Sequence, residues 1–222
     1  MYSSPDVELK SDCRINSQRL KSFWEEVNTI GFNKDTQGIN RCGYTADDTE
    51  ARKWLIAKLN AYGFTVTVDS VNNVIGRIGP EEGPSIMSGS HLDSVPEGGK
   101  YDGVLGVCAA VECARVIKES GIPLKRAIEV VAFAEEEGRF GGMLGSQAMT
   151  AQAEPSWVST AEDAFGISLL DAMSSQGFSS VLQKLPSCSR ADDHVRPITD
   201  FIELHIEVSS YLPTHLTTLR GI

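Results

Sequence analysis

His91, Asp93, Asp102, Glu136, Glu137 and His205 are residue types that bind divalent cations or move protons. Each stands just past an apolar, strand-like segment or a tight glycine turn. Ser85–Ser90 leads into His91-Leu92-Asp93, Gly98-Gly99 into Tyr101-Asp102-Gly103, Ile128–Ala134 into Glu135-Glu136-Glu137, and Phe201–Leu204 into His205-Ile206-Glu207. Imidazole and carboxylate without thiolate suit zinc, or another borderline ion, doing hydrolytic chemistry. In open α/β sheets such groups gather at the carboxyl ends of strands, where loops aim several side chains at one place.

Each motif has a plainer reading beside the functional one. In an extended segment Asp93 lies on the same side as His91, so its carboxylate can accept the imidazole N–H and fix the tautomer. A strand-end histidine with a bonded neighbour looks the same. Asp102 can bridge two cations or simply cap the next helix. Three consecutive carboxylates after so apolar a strand repel one another unless a cation is near, and a solvated turn is the alternative. His205 alone reads as an ordinary surface or core histidine. His194 and His215 lie in unpatterned stretches and carry no assignment.

Alternating helical and strand periodicity positions these groups. Asn16 or Ser17 caps a helix with Leu20, Phe23, Trp24, Val27 and Ile30 on one face and Gly31 as its stop. Thr45 with Asp48 reads as a capping pair for a helix ending at Gly63. Phe64–Val68 and Asn73–Ile78 read as strands, Val104–Lys118 as a helix buried on most sides, and Ala127–Ala134 as a central strand. Strand, helix and strand in that order imply parallel neighbours. A short helix is expected at Met143–Thr150, another at Ile167–Met173, and a last strand at Phe201–His205. The expected fold is α/β, a mainly parallel mixed sheet flanked by helices on both faces. Residues 1–15 are expected to be a flexible N-terminus, 16–207 the amino-terminal part of a catalytic domain, and 208–222 a divergent tail.

The 222 residues are 41% hydrophobic and 23% charged, ordinary for a globular domain. A net charge of −10 argues against nucleic acid or an anionic membrane as partner. No apolar run approaches the roughly 20 residues of a membrane span. The first residues lack a basic start and an apolar core, so a cytoplasmic location is the default expectation. Five cysteines without a CxxC pair argue against disulfides or a thiolate site; Cys108 and Cys113 are expected as small core residues.

Taken together, Ser88–Pro96, Gly98–Gly103, Glu135–Phe140 and Phe201–Glu207 resemble the hydantoinase/carbamoylase amidases of the dinuclear-zinc aminopeptidase-like hydrolases. The resemblance runs from about the first helix to Glu207. It implies hydrolysis of linear C–N amide bonds, not peptide bonds, in N-carbamoyl-L-amino acids, allantoate or ureidoglycolate. It implies His91, Asp102 and His205 around one ion, with Asp102 and Glu137 on a second. Glu136 would be the general base, Asp93 the orienting partner of His91, and Arg139 a substrate contact. Two zinc ions per site are implied, with manganese or cobalt as substitutes, along with a small amide or ureido substrate and a homodimer.

The chain departs from that pattern in places. Family members read His-Ile-Glu-Gln-Gly, whereas Val208-Ser209-Ser210 follow Glu207 here. Glu137-Gly138-Arg139-Phe140 is one residue tighter than the common family spelling. The lid and dimerisation segment and the third ligand of the second ion have no counterpart in this sequence. The expectation is therefore an amidohydrolase by descent, represented by its amino-terminal catalytic half and with activity open to loss. The alternatives are a metallopeptidase or aminoacylase of the same superfamily, and an inactive metal-binding fragment.

Overall fold

Local capping sets the helix starts. The Asn16 side chain accepts the Arg19 N–H at 3.0 Å and opens α1 (Ser17–Val27). Thr45 accepts the Asp48 N–H, and the Asp48 carboxylate returns a bond to the Tyr44 N–H, opening α2 (Ala46–Ala61). This reciprocal pair satisfies donors that would otherwise be orphaned. The remaining elements are β1 (Thr65–Val68), β2 (Val74–Ile78), β3 (Ser85–His91), α3 (Val104–Ser120), β4 (Ala127–Phe133), α4 (Leu144–Met149), α5 (Pro155–Thr160), α6 (Leu169–Ser175) and β5 (Ile198–Ile202). The computed structural model describes residues 13–177 and 197–207. The expectations for residues 1–12, the tail 208–222, His194, His215 and Cys188 lie outside the described residues.

The five strands form one mixed sheet in the order β1-β2-β4-β3-β5. β3 runs parallel to β4 and to β5, while β2 is antiparallel to both β1 and β4. The sheet is α/β as expected, but it is divided evenly and is not mainly parallel. The short connection from β1 to β2 permits only a hairpin, and β2 then lies against β4 with reversed direction.

Alternation along β4 sends Val130 and Ala132 to one core and Val131 to the other. The first core joins α1, α2 and α3 through Phe23, Leu55, Val107 and Val111. On the opposite face Ile75, Met87 and Val131 pack with Met149 of α4 and Ile198. A third cluster, with Tyr44, Phe140, Leu144 and Met173, lies under α4–α6. Glu129, the single charge of β4, is buried against Arg77 (2.7 Å) and the Ser85 hydroxyl (2.8 Å).

Two expectations need correction. The last strand ends at Ile202, not His205, so His205 sits on the segment after the strand. Cys108 is buried as expected, but Cys113 is exposed on the outer side of α3.

Candidate metal centre

The carboxyl ends of the parallel strands β3 and β5 and the turn before α3 come together, and His91, Asp102 and His205 converge there. Gly106 on α3 faces the Leu204 carbonyl and the Ser90 side chain. A Cβ at that position would collide with the carbonyl, so glycine lets the segment carrying His205 come down beside α3. The Ser90 hydroxyl also donates to the Glu203 carboxylate at 2.5 Å. On the other side, the Trp24 indole and the Asn28 amide both donate to the Lys100 carbonyl, at 2.7 and 2.9 Å. Trp24 stacks on Tyr101 with centroids 4.7 Å apart, which pins the turn bearing Asp102.

His91, Asp102 and His205 each offer a ligand atom within 4.8 Å of the others. The Asp102 Oδ1 lies 3.9 Å from His91 Nε2 and 3.4 Å from His205 Nε2. Asp102 does not cap α3; Gly103 occupies that position without a side-chain bond. His91 is almost wholly buried, and its Nδ1 lies 3.0 Å from the Asp93 main-chain carbonyl. A carbonyl only accepts, so Nδ1 carries the hydrogen and Nε2 keeps its lone pair. His205 repeats the arrangement, with Nδ1 3.0 Å from the Ile206 carbonyl. That bond raises the His205 pKa against the opposing effect of burial, and Asp102, Glu203 and Glu136 raise it further.

His91 Nε2 is buried without a hydrogen-bond partner. A polar atom left so costs on the order of 1–3 kcal/mol unless something else satisfies it. Two imidazole lone pairs and a carboxylate oxygen facing one point are a donor set for a borderline divalent ion, so these residues fit the implied metal.

The other expected residues take different places. Glu136 Oε2 lies 3.4 Å from His91 Nε2, and its side chain is one-third exposed. Asp93 does not bond the imidazole through its carboxylate, whose nearer oxygen is 3.9 Å from Nδ1; the main chain makes that bond instead. The carboxylate accepts the Glu137 N–H at 3.0 Å. Glu137 is not part of the group of three. Burial raises its pKa; His91 opposes that, while Asp102, Glu136 and Asp93 add to it. Arg139 donates Nε and Nη2 to Asp163 at 3.1 and 3.0 Å and Nη1 to the Gly43 carbonyl at 2.8 Å, so its fork is engaged within the protein.

Three supporting residues carried no role of their own in the sequence reading. Arg52, buried in the core, bonds Asp48 at 2.9 Å and the carbonyls of Asn72, Ala132 and Phe133, and its Nη2 lies 3.8 Å from Asp93. Buried Arg41 binds the Leu92 carbonyl at 2.6 Å, behind His91. Glu135, at φ 53°, accepts the N–H groups of Phe140 and Gly142, and burial pushes its carboxyl up to about 7. Glu135 was visible only as part of the acidic run, and the i,i+4 spacing of Asp48 and Arg52 ordinarily reads as surface charge.

The chain is similar to known proteins over most of its length. The model for peptidase family M28 matches residues 73–203. An N-carbamoyl-L-amino-acid amidohydrolase of Pseudomonas sp. (strain NS671) is 36% identical over 205 residues, covering 89% of this chain and 48% of that protein. A ureidoglycolate hydrolase of Oryza sativa subsp. japonica is 37% identical, covering 87% of this chain and 40% of its own. The crystal structure of a hydantoinase/carbamoylase family amidase from Burkholderia ambifaria superposes with a TM-score of 0.76 at 31% identity, over 91% of this chain and 48% of that one. The chain belongs to peptidase family M28 and, within it, to the hydantoinase/carbamoylase amidases. It spans about half the length of the curated relatives it matches.

Proposed function

We propose that this chain carries the metal-binding half of a hydrolase that cleaves linear C–N amide bonds, with N-carbamoyl-L-amino acids, allantoate and ureidoglycolate as the substrate class. The observation that carries the reading is the buried, unpartnered Nε2 of His91, facing Asp102 and Glu136 with His205 opposite. His91, Asp102 and His205 would hold a divalent ion; such an ion lowers the pKa of a water and polarises a carbonyl. Glu136 is close to this centre yet open to solvent, as a proton carrier must be. It takes the proton of the attacking water and returns it to the departing nitrogen as the C–N bond breaks. Asp93 holds the backbone of Glu137, and through it the turn bearing Glu136. The names of the relatives favour this substrate class over a peptide.

Zinc titration and turnover of N-carbamoyl amino acids test the reading. Zinc should bind the parent chain and be lost in His91→Ala. That loss should exceed the roughly 10–100-fold fall typical when only a supporting group is removed. Glu136→Gln should keep the zinc and lack any turnover the parent shows. Zinc bound equally by the parent and His91→Ala would sink the proposal.

A further inference from the structure

Beside the metal-ligand group lies a cavity of about 400 Å³ that the proposed chemistry leaves unused. Its lining takes in Glu137, next in sequence to Glu136, and extends past the Val95-Pro96 turn to residues 163–167, between α5 and α6. Val95, Phe165 and Ile167 line it, and all three are large apolar side chains left exposed. Apolar surface gathered in a concavity of small-molecule size gains free energy when an apolar group displaces its water.

The charges on this wall decide what that group can be. Arg139 is the one basic side chain lining the cavity among the described residues. Its guanidinium is neutralised by Asp163 and further occupied by the Gly43 carbonyl. Glu137 adds a second carboxyl group to the lining beside that of Asp163. An entering carboxylate would therefore meet acidic neighbours and a cation already spoken for. A ureido group would lose water to a wall with few unengaged polar partners. An aliphatic group meets neither cost and covers Val95 and Ile167.

Resting on the hydrolase reading above, we infer that this cavity receives the side chain of an N-carbamoyl amino acid and selects an aliphatic one over an acidic or ureido-bearing one. Val95 and Ile167 are the specificity-determining residues. The cavity, and not the metal ligands, separates carbamoyl amino acids from allantoate in this chain.

The test titrates N-carbamoyl-L-leucine, N-carbamoyl-L-aspartate and allantoate into the chain by calorimetry, with and without zinc. The leucine derivative should bind about tenfold more tightly than either of the others, as expected when an apolar group fills a matched pocket. Val95→Asp and Ile167→Asp should each erase that preference, whereas Ile167→Leu should keep it. Both positions are partly exposed, so the substitutions leave the core intact, and circular dichroism checks this. Equal affinities, no binding of any probe, or an unchanged preference in both aspartate variants would overturn the inference. Zinc uptake separates the two claims. A chain that takes up no zinc yet keeps the leucine preference defeats the functional reading alone. Zinc bound with no preference among the probes defeats the cavity alone.

Discussion

The Asp93 carboxylate accepts the Glu137 N–H at 3.0 Å, tying the residues after β3 to the turn after β4. His91, proposed as a metal ligand, and Glu136, proposed as the proton carrier, both neighbour this link, so it sets the distance between them. Asp93 is buried, and Arg52 Nη2 lies 3.8 Å from its other oxygen. Asp93→Ala removes the acceptor and leaves a buried cation with one fewer counter-charge. It should cost about 3–5 kcal/mol of stability. Asp93→Asn keeps an acceptor for the Glu137 N–H and should cost about 1–3 kcal/mol. Urea unfolding of the two variants gives the comparison, and equal losses would show that the charge on Asp93 is immaterial.

Arg52 and Asp48 form a buried pair at 2.9 Å that also holds the carbonyls of Ala132 and Phe133 at the carboxyl end of β4. Removing one partner strands the other charge. Arg52→Met alone should cost about 3–5 kcal/mol. With Asp48→Asn added, the loss should fall short of the sum of the single losses by about 0.5–3 kcal/mol, the usual coupling of residues in one network. Thermal unfolding of the four proteins of the cycle measures it. Strict additivity would mean the pair does not act as a unit.

The contrast between these residues and the proposed metal ligands explains what the sequence made legible. His91, Asp102 and His205 follow apolar segments or a glycine turn, and that placement is a local signal. The helices were equally readable because Asn16 and Thr45 announce their starts by side-chain chemistry within a few residues. The parallel pairing of β3 and β4 was legible from the helix between them, but the direction of β2 against β4 was not. β2 lies between β1 and β4, antiparallel to both, and nothing within its five residues encodes that neighbour. The place of β5 was misjudged because Phe201–Leu204 is more apolar than Ile198–Asp200, although pairing to β3 runs through Ile198, Asp200, Phe201 and Ile202. Arg52 and Arg41 were invisible because a buried arginine is recognised by carbonyls from distant segments, not by its own neighbours in sequence.

Gly103 supports the His91 ring from below. Its φ is +62°, and a Cβ there would sit 2.5 Å from several ring atoms. Gly103→Ala therefore meets two costs, backbone strain on the order of 1–3 kcal/mol and displacement of the ring. The variant should lose stability by about that amount and also lose zinc affinity, although no ligand has been changed. Calorimetric zinc titration of Gly103→Ala beside Gly99→Ala is the check. Gly99 has open space around it, so its variant should keep the zinc. Unchanged affinity in Gly103→Ala would mean the ring has more room than the structure shows.

Cys108 makes the stability sensitive to alkaline pH. Burial pushes its thiol up to about 12, with the Arg41 cation acting in the opposite direction. In the unfolded chain the thiol returns to about 9. The folded state holds the proton more tightly, so above the unfolded value the unfolded chain is the one that gains by releasing it. The contribution is complete below about pH 9 and is lost as pH rises towards 12, at about 1.4 kcal/mol per pH unit. Cys108→Ala removes the titrating group and with it this slope. Cys42 and Cys113, whose thiols burial also raises, are present in both proteins and cancel in the difference. Between about pH 8 and about pH 10 the parent should therefore lose about 1.4 kcal/mol more than the variant. Urea unfolding at the two pH values gives that difference. A parent and variant with parallel pH profiles would show that the thiol ionises freely within the fold.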